Sequence, residues 1–152
     1  MRTHVALLRA VNLAGRNKVA MADLRQIAGS LGHTDVATYI QSGNVVFTTA
    51  ETDTAKLAGA LEHEIARRLY VQPGVVVLSR DELAAVFAGN PYPQETDPRR
   101  LHAVFRREDM SPEEIAAVAA AQKRASFKGS RDEATVVGRT LFLCILVPKI
   151  LP

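Results

Sequence analysis

Asn12, Gly15, Arg16, Asn17 and Lys18 fall within one short segment, and Gln41, Ser42, Gly43 and Asn44 form a second. The arginine and lysine supply positive charge, the amide side chains supply N–H donors, and glycine allows close backbone approach to a ligand. Such a set suits an oxyanion, phosphate or carboxylate. The same residue types also fill turns for conformational reasons, because Asn, Gly and Ser tolerate left-handed geometry and bond to nearby backbone. A site therefore exists only if the fold brings the two segments together.

The flanking sequence predicts that it does. His4 to Val11 is rich in apolar and β-branched residues and reads as a buried strand. Met21, Leu24, Ile27, Ala28 and Leu31 recur at helical spacing, and Gly32 stands where a helix end takes a left-handed residue. Val36 to Gln41 and Asn44 to Thr48 read as strands joined through Ser42-Gly43 in a hairpin. Leu57, Leu61, Ile65 and Leu69 mark a second amphipathic helix, capped from Thr52, Asp53 or Thr54. Pro73-Gly74 then precedes a fourth strand, Val75 to Leu78. The order βαββαβ is the split βαβ, ferredoxin-like unit. In that connectivity strands one and two run parallel, with strand three antiparallel between them. The loop leaving strand one, the hairpin and the start of helix one thus meet at one edge of the sheet. The helix adds unpaired backbone N–H groups and the positive end of its dipole. Asn12, Gly15, Arg16, Asn17, Lys18, Gln41, Ser42, Gly43 and Asn44 are the candidate ligand-binding residues. No catalytic residue is assigned.

The second half reads as a smaller, less regular α+β unit, giving domains at 1–80 and 81–152. Ser79 and Glu82 form a capping box for a short helix ending near Gly89, and Leu101 to Arg106 looks like a strand. Ser111, Pro112 and Glu114 open another helix. Short β-like runs follow around Phe127, at Ala134 to Val137 and at Thr140 to Ile145, with Gly138-Arg139 as a turn.

The whole chain narrows the chemistry. At 152 residues, 47% hydrophobic and 23% charged, it is long and apolar enough to fold without staples. Aromatics are 5% and Trp is absent, which argues against a binding surface built mainly on stacking. The net charge of +3 is a mild bias, short of a dedicated nucleic-acid grip. It is concentrated early: Arg2, Arg9, Arg16, Lys18 and Arg25 face only Asp23 and Asp35 in the first fifty residues. The single Cys144 suits a reducing compartment. His4, His33, His63 and His102 lack metal-ligand spacing, so neither metal nor cofactor is expected. The Gly15 loop is neither a Walker loop nor a dinucleotide fingerprint. Arg99-Arg100 and Arg106-Arg107 flank a strand and read as a solvated edge. No apolar run is long enough to span a bilayer, and no signal segment opens the chain, so a cytoplasmic protein with no membrane partner is expected.

Two blocks carry a family resemblance. Ala6 to Asn12 with Gly15-Arg16-Asn17-Lys18-Val19 and Met21 to Leu24 is the first, and Asp35 to Phe47 is the second. Together they resemble the bacterial domain-of-unknown-function family 1697, loosely to about residue 142. The resemblance implies a cytosolic bacterial α+β protein built on ferredoxin-like units and carries no assigned activity. Thr140 to Leu143 fits that pattern and Cys144 to Pro152 does not. Members of the family continue instead into a Gly/Ser/Lys-containing loop, a helix and an Arg-Asn-Trp-Asn-type segment. The expectation is a tail altered by truncation or frameshift, with an incomplete second unit and apolar surface left exposed.

Three functions compete. The first is a binding module for a phosphate-bearing small molecule or a nucleic acid, the latter held electrostatically. The second is a structural or interaction protein whose polar edge is only a set of well-made turns. The third is an acylphosphatase-like hydrolase, by analogy of fold, with Arg16 binding the anion and Asn44 orienting a water.

Overall fold

The computed structural model of the chain describes residues 1–146. It divides into two compact units, Met1–Ala84 and Ala85–Pro152. In the first, β1 (His4–Leu8), β2 (Thr34–Tyr39), β3 (Asn44–Thr48) and β4 (Val75–Ser79) form one sheet in the order β2-β3-β1-β4. Every neighbouring pair is antiparallel. Helices α1 (Met21–Ser30) and α2 (Thr54–Leu69) complete the ferredoxin-like βαββαβ arrangement.

Periodicity builds this unit. His4, Ala6 and Leu8 alternate with half-buried Val5 and Leu7, so β1 turns one face to the core. Val45 and Phe47 of β3 share that face through pairing with Ala6 and His4. Leu24, Ile27 and Ala28 of α1, with Leu57, Ala58, Leu61 and Ile65 of α2, cover it. Asp53 caps α2, its side chain accepting the Lys56 N–H at 3.0 Å. Burying one such Leu or Ile side chain contributes about 1.5–3 kcal/mol.

The ends of β1 and β2 come earlier than expected. β1 stops at Leu8 because the chain turns at Ala10, whose φ is +57°. Val11 nevertheless stays buried. β2 ends at Tyr39, so the link to β3 is residues 40–43 rather than Ser42-Gly43 alone. Left-handed Ile40 (φ +50°) opens that link and Gly43 (φ +87°) closes it.

α3 (Arg80–Ala88) follows β4 and is opened by reciprocal bonds between Ser79 and Glu82. In the second unit β5 (Leu101–Phe105), β6 (Glu133–Val137) and β7 (Thr140–Cys144) form an antiparallel sheet in the order β5-β7-β6. α4 (Pro112–Phe127) connects β5 to β6. Ser111 and Glu114 cap it reciprocally, yet it buries no residue completely. Phe127 is its last residue and not part of a β run, because Gly129 (φ +89°) ends the helix there. Tyr92 and Phe142 are the buried apolar residues described in this unit, and the Tyr92 hydroxyl lies 2.6 Å from Thr135 Oγ1. Cys144 pairs with Leu101 and Glu133, and the Leu146 N–H donates to Asp132 Oδ1 at 2.8 Å. The altered-tail expectation for residues 147–152 lies outside the described residues. No helix among the described residues is long and apolar enough to cross a membrane.

Candidate loop-end binding face

Connectivity alone brings both candidate segments to one end of the first sheet. The Leu8 N–H donates to Gly43 O at 2.9 Å, joining the end of β1 to the hairpin. The Asn12 Nδ2 group donates to Gln41 O at 2.9 Å, joining the following loop to the same hairpin. A third loop, residues 70–74, arrives beside them, with the Arg9 N–H donating to Gly74 O at 2.8 Å.

The amides that the sequence offers to a ligand mostly serve the fold instead. Asn12 Nδ2 donates to Val19 O as well as to Gln41 O, and Asn12 Oδ1 accepts the Val19 N–H, each at 2.9 Å. Asn12 is thus a strut between loop and hairpin. Asn17 Nδ2 donates to Ala10 O at 3.1 Å, and Asn44 Nδ2 donates to Ser42 Oγ at 3.0 Å. Gly43 is buried, and a Cβ there would lie 2.6 Å from Val11 Cγ2. Its place is steric. Gly15 forms the tip of a tight turn in which the Arg16 N–H donates to Leu13 O at 2.8 Å. Ala10, Asn12, Ala14, Gly15 and Asn17 all take positive φ within this loop.

Arg16, Lys18, Gln41 and Ser42 remain exposed to solvent. Arg16 and Lys18 make no ion pair among the described residues, and neither does exposed Arg9. Other cations of this unit do: Arg2 meets Asp35 at 3.3 Å, and Glu64 takes both Arg67 and Arg68. The Arg67 and Arg68 guanidiniums hold the Glu64 carboxyl down to about 2. Residues 9–20, 40–43 and 70–74 contain no Asp or Glu. α1 begins here with Ala20 at its N-cap and no side-chain cap, leaving first-turn N–H groups open beside Asp23.

Sequence reasoning missed the apolar component of this end. Leu13 is 60% exposed, Tyr39 71%, Ile40 62% and Tyr70 91%, and all four lie on the loops or strand and helix ends that meet here. Tyr39 and Ile40 read as strand in one dimension, and Leu13 and Tyr70 carry no functional reading. What exposes them is the place where an element stops, and Ile40 and Tyr70 sit at left-handed stops. Arg99 and Arg100 are paired with Asp97, and Arg106 with Glu114.

At the opposite end of the sheet His4 and His33 each stack with Phe47, with centroid distances of 5.9 and 4.4 Å. Burial pushes both imidazoles below the ordinary value. His33 Nε2 is buried without a hydrogen-bond partner. Among the described residues no three His, Cys, Asp or Glu side chains gather as metal ligands.

Comparison with known proteins agrees with this fold. The chain is similar to a solved structure, the conserved bacterial protein SP0830 from Streptococcus pneumoniae, at 26% identity and a TM-score of 0.71. The match covers 97% of this chain and 79% of that one. No curated protein matches the sequence. The profile described as "Protein of unknown function (DUF1697)" matches residues 1–142, carrying both blocks of the loop end, and the chain belongs to that family.

Proposed function

We propose that the loop end of the first unit is a binding face for a phosphate-bearing ligand, a small molecule or a nucleic acid, in a bacterial cytoplasm. One observation carries this reading: Arg9, Arg16 and Lys18 lie on the loop at this end without an ion pair among the described residues, and its three loops carry no acidic residue. Such a face raises the local concentration of anions. The uncapped α1 terminus adds N–H donors to it. The left-handed residues of the loop are the kind of strain that persists where surrounding structure over-determines a conformation. Asn12, Asn17, Asn44 and Gly43 support the face from within, while Arg16, Lys18, Gln41 and Ser42 contact the ligand.

Fluorescence anisotropy with a labelled single-stranded oligonucleotide and with inorganic tripolyphosphate as competitor tests the reading. Three phosphate contacts give a log–log salt slope of about −2 for a single strand, and Arg16→Ala reduces its size by about 0.7. Absence of binding at low salt overturns the proposal, as does binding that Arg16→Ala and Lys18→Ala leave unchanged.

A second reading rests on Leu13, Tyr39, Ile40 and Tyr70, since a cluster of exposed apolar side chains marks protein contact surfaces. Under it, Tyr39→Ser and Tyr70→Ser abolish capture of a partner protein and leave polyphosphate competition untouched. The hydrolase alternative has narrower support, because Asn44 Nδ2 is engaged by Ser42 Oγ. It requires acyl-phosphate hydrolysis that is lost in Arg16→Ala.

A further inference from the structure

An open cavity of about 430 Å³ lies at the other end of the first sheet, away from the loop end. Arg2, Thr3, His4, Glu51, Arg80 and Asp81 are among its lining residues. They come from the start of β1, the chain after β3 and the β4–α3 junction. Backbone bonds fix its walls: the Arg80 N–H donates to Thr3 O at 2.8 Å, and the Thr3 N–H donates to Phe47 O at 3.0 Å.

His4 is 8% exposed and its ring is held from behind. Thr3 Oγ1 lies 2.8 Å from His4 Nδ1, accepts the Thr49 N–H at 3.1 Å and is 3.4 Å from Thr49 O. Thr3 Oγ1 has two acceptors within reach, Nδ1 at 2.8 Å and Thr49 O at 3.4 Å, and the nearer one suits a tautomer in which Thr3 donates to Nδ1. In that tautomer the imidazole proton sits on Nε2. That nitrogen makes no hydrogen bond among the described residues, and His4 is one of the cavity's lining residues.

The charged lining sorts itself. Arg2 is engaged by Asp35 at 3.3 Å. Glu51 accepts from Lys56 Nζ at 2.5 Å and from the N–H groups of Thr52 and Asp53. Arg80 and Asp81 have no ion pair among the described residues, and the Arg80 guanidinium rests against Met1 Sδ. The Arg80 guanidinium, the Asp81 carboxylate and the His4 ring therefore remain for a ligand, with Met1 and its cationic α-amino group also among the lining residues. A simple anion meets repulsion from Asp81, and a simple cation meets it from Arg80.

We propose that this cavity binds a small zwitterion of the α-amino-acid type, its carboxylate held by Arg80 and His4 Nε2–H and its ammonium by Asp81. Pockets of a few hundred Å³ hold small molecules, and a few converging polar groups set their orientation. This site is independent of the loop-end face and stands or falls separately.

Histidine-selective ¹⁵N spectra of the full chain, titrated with glycine and L-alanine, test it. Exposed His63 on α2 serves as the internal reference. The proposal predicts an Nε2–H tautomer for His4 and a saturable shift of its ring at millimolar amino acid, with His63 unmoved. Acetate and methylammonium, each carrying one half of the charge pattern, bind at least about tenfold more weakly. Arg80→Gln and Asp81→Asn each weaken glycine binding about tenfold while the thermal melt stays cooperative, since both side chains are exposed. An Nδ1–H tautomer, no saturable shift with either amino acid, acetate binding as tight as glycine, or unchanged binding in either variant overturns the proposal.

Discussion

β5, β7 and β6 stand in the same order as β1, β3 and β2, and α4 connects β5 to β6 as α1 connects β1 to β2. The outcome differs. In the first unit α2 and β4 follow, one laying Leu57, Leu61 and Ile65 over the sheet and the other pairing with β1 along its whole length. In the second unit the described residues contain no counterpart of either, and α4 buries no residue. All buried apolar side chains described except Tyr92 and Phe142 belong to the first unit. Three strands and one helix set a topology, but a second helix and a fourth strand are what seal a core. Both candidate sites lie on the sealed unit, where rigid strand ends hold loops in fixed positions.

Removing a core ring probes that contrast hardest. Phe47→Ala is expected to cost about 3–5 kcal/mol by urea denaturation, because Phe47 is fully buried. Phe142→Ala is expected to cost less than half as much and to raise amide exchange in β5–β7 while β1–β4 stay protected. Equal losses for the two variants break the comparison.

A smaller effect separates scaffold from surface inside the loop end. Asn12→Ala removes three bonds to backbone and is expected to cost about 2–3 kcal/mol. Arg16→Ala is expected to stay within about 0.5 kcal/mol, as an exposed residue whose side chain has no partner among the described residues. Denaturant midpoints of the two variants decide this. An Asn12→Ala chain as stable as the parent shows that the strut carries nothing.

The smallest expected effect concerns acid. His4 and His33 titrate lower in the folded chain than the ordinary value of 6.5 because burial disfavours their charged forms. The unfolded chain therefore binds protons more readily just below 6.5. Their contribution to stability is full above that pH and falls away as pH drops through the lower folded values. His33→Phe removes the unpartnered Nε2 and is expected to add about 1 kcal/mol at neutral pH. It also flattens part of the acid-side loss in a series of melting temperatures against pH. A steeper acid loss in that variant contradicts the assignment.

Much of this architecture was legible in one dimension. The alternation in β1 and β3 and the helical spacing of Leu24, Ile27, Leu61 and Ile65 gave βαββαβ, and connectivity then placed both polar segments at one end. Residue type did not reveal where polar atoms are committed. Asn12 and Lys18 look equally available in sequence, yet one is bonded to the chain at both ends of its amide and the other is open to solvent. The four-residue hairpin was hidden because Ile40 has strong strand propensity and its left-handed φ answers to Gly43 packing against Leu8 and Val11. Phe127 read as β because aromatics favour strands, while the Ala-rich run before it carried the helix through. The cavity at His4 had no sequence signal, since Glu51, Arg80 and Asp81 reach it only through the strand order.

Backbone ¹⁵N spectra of the full chain titrated with inorganic tripolyphosphate test the loop-end face most directly. Saturable shifts confined to residues 13–18, 40–43 and the first turn of α1, weakened by salt and lost in Arg16→Ala with Lys18→Ala, are the predicted result. Saturable shifts centred elsewhere on the chain, or none at low salt, contradict the account.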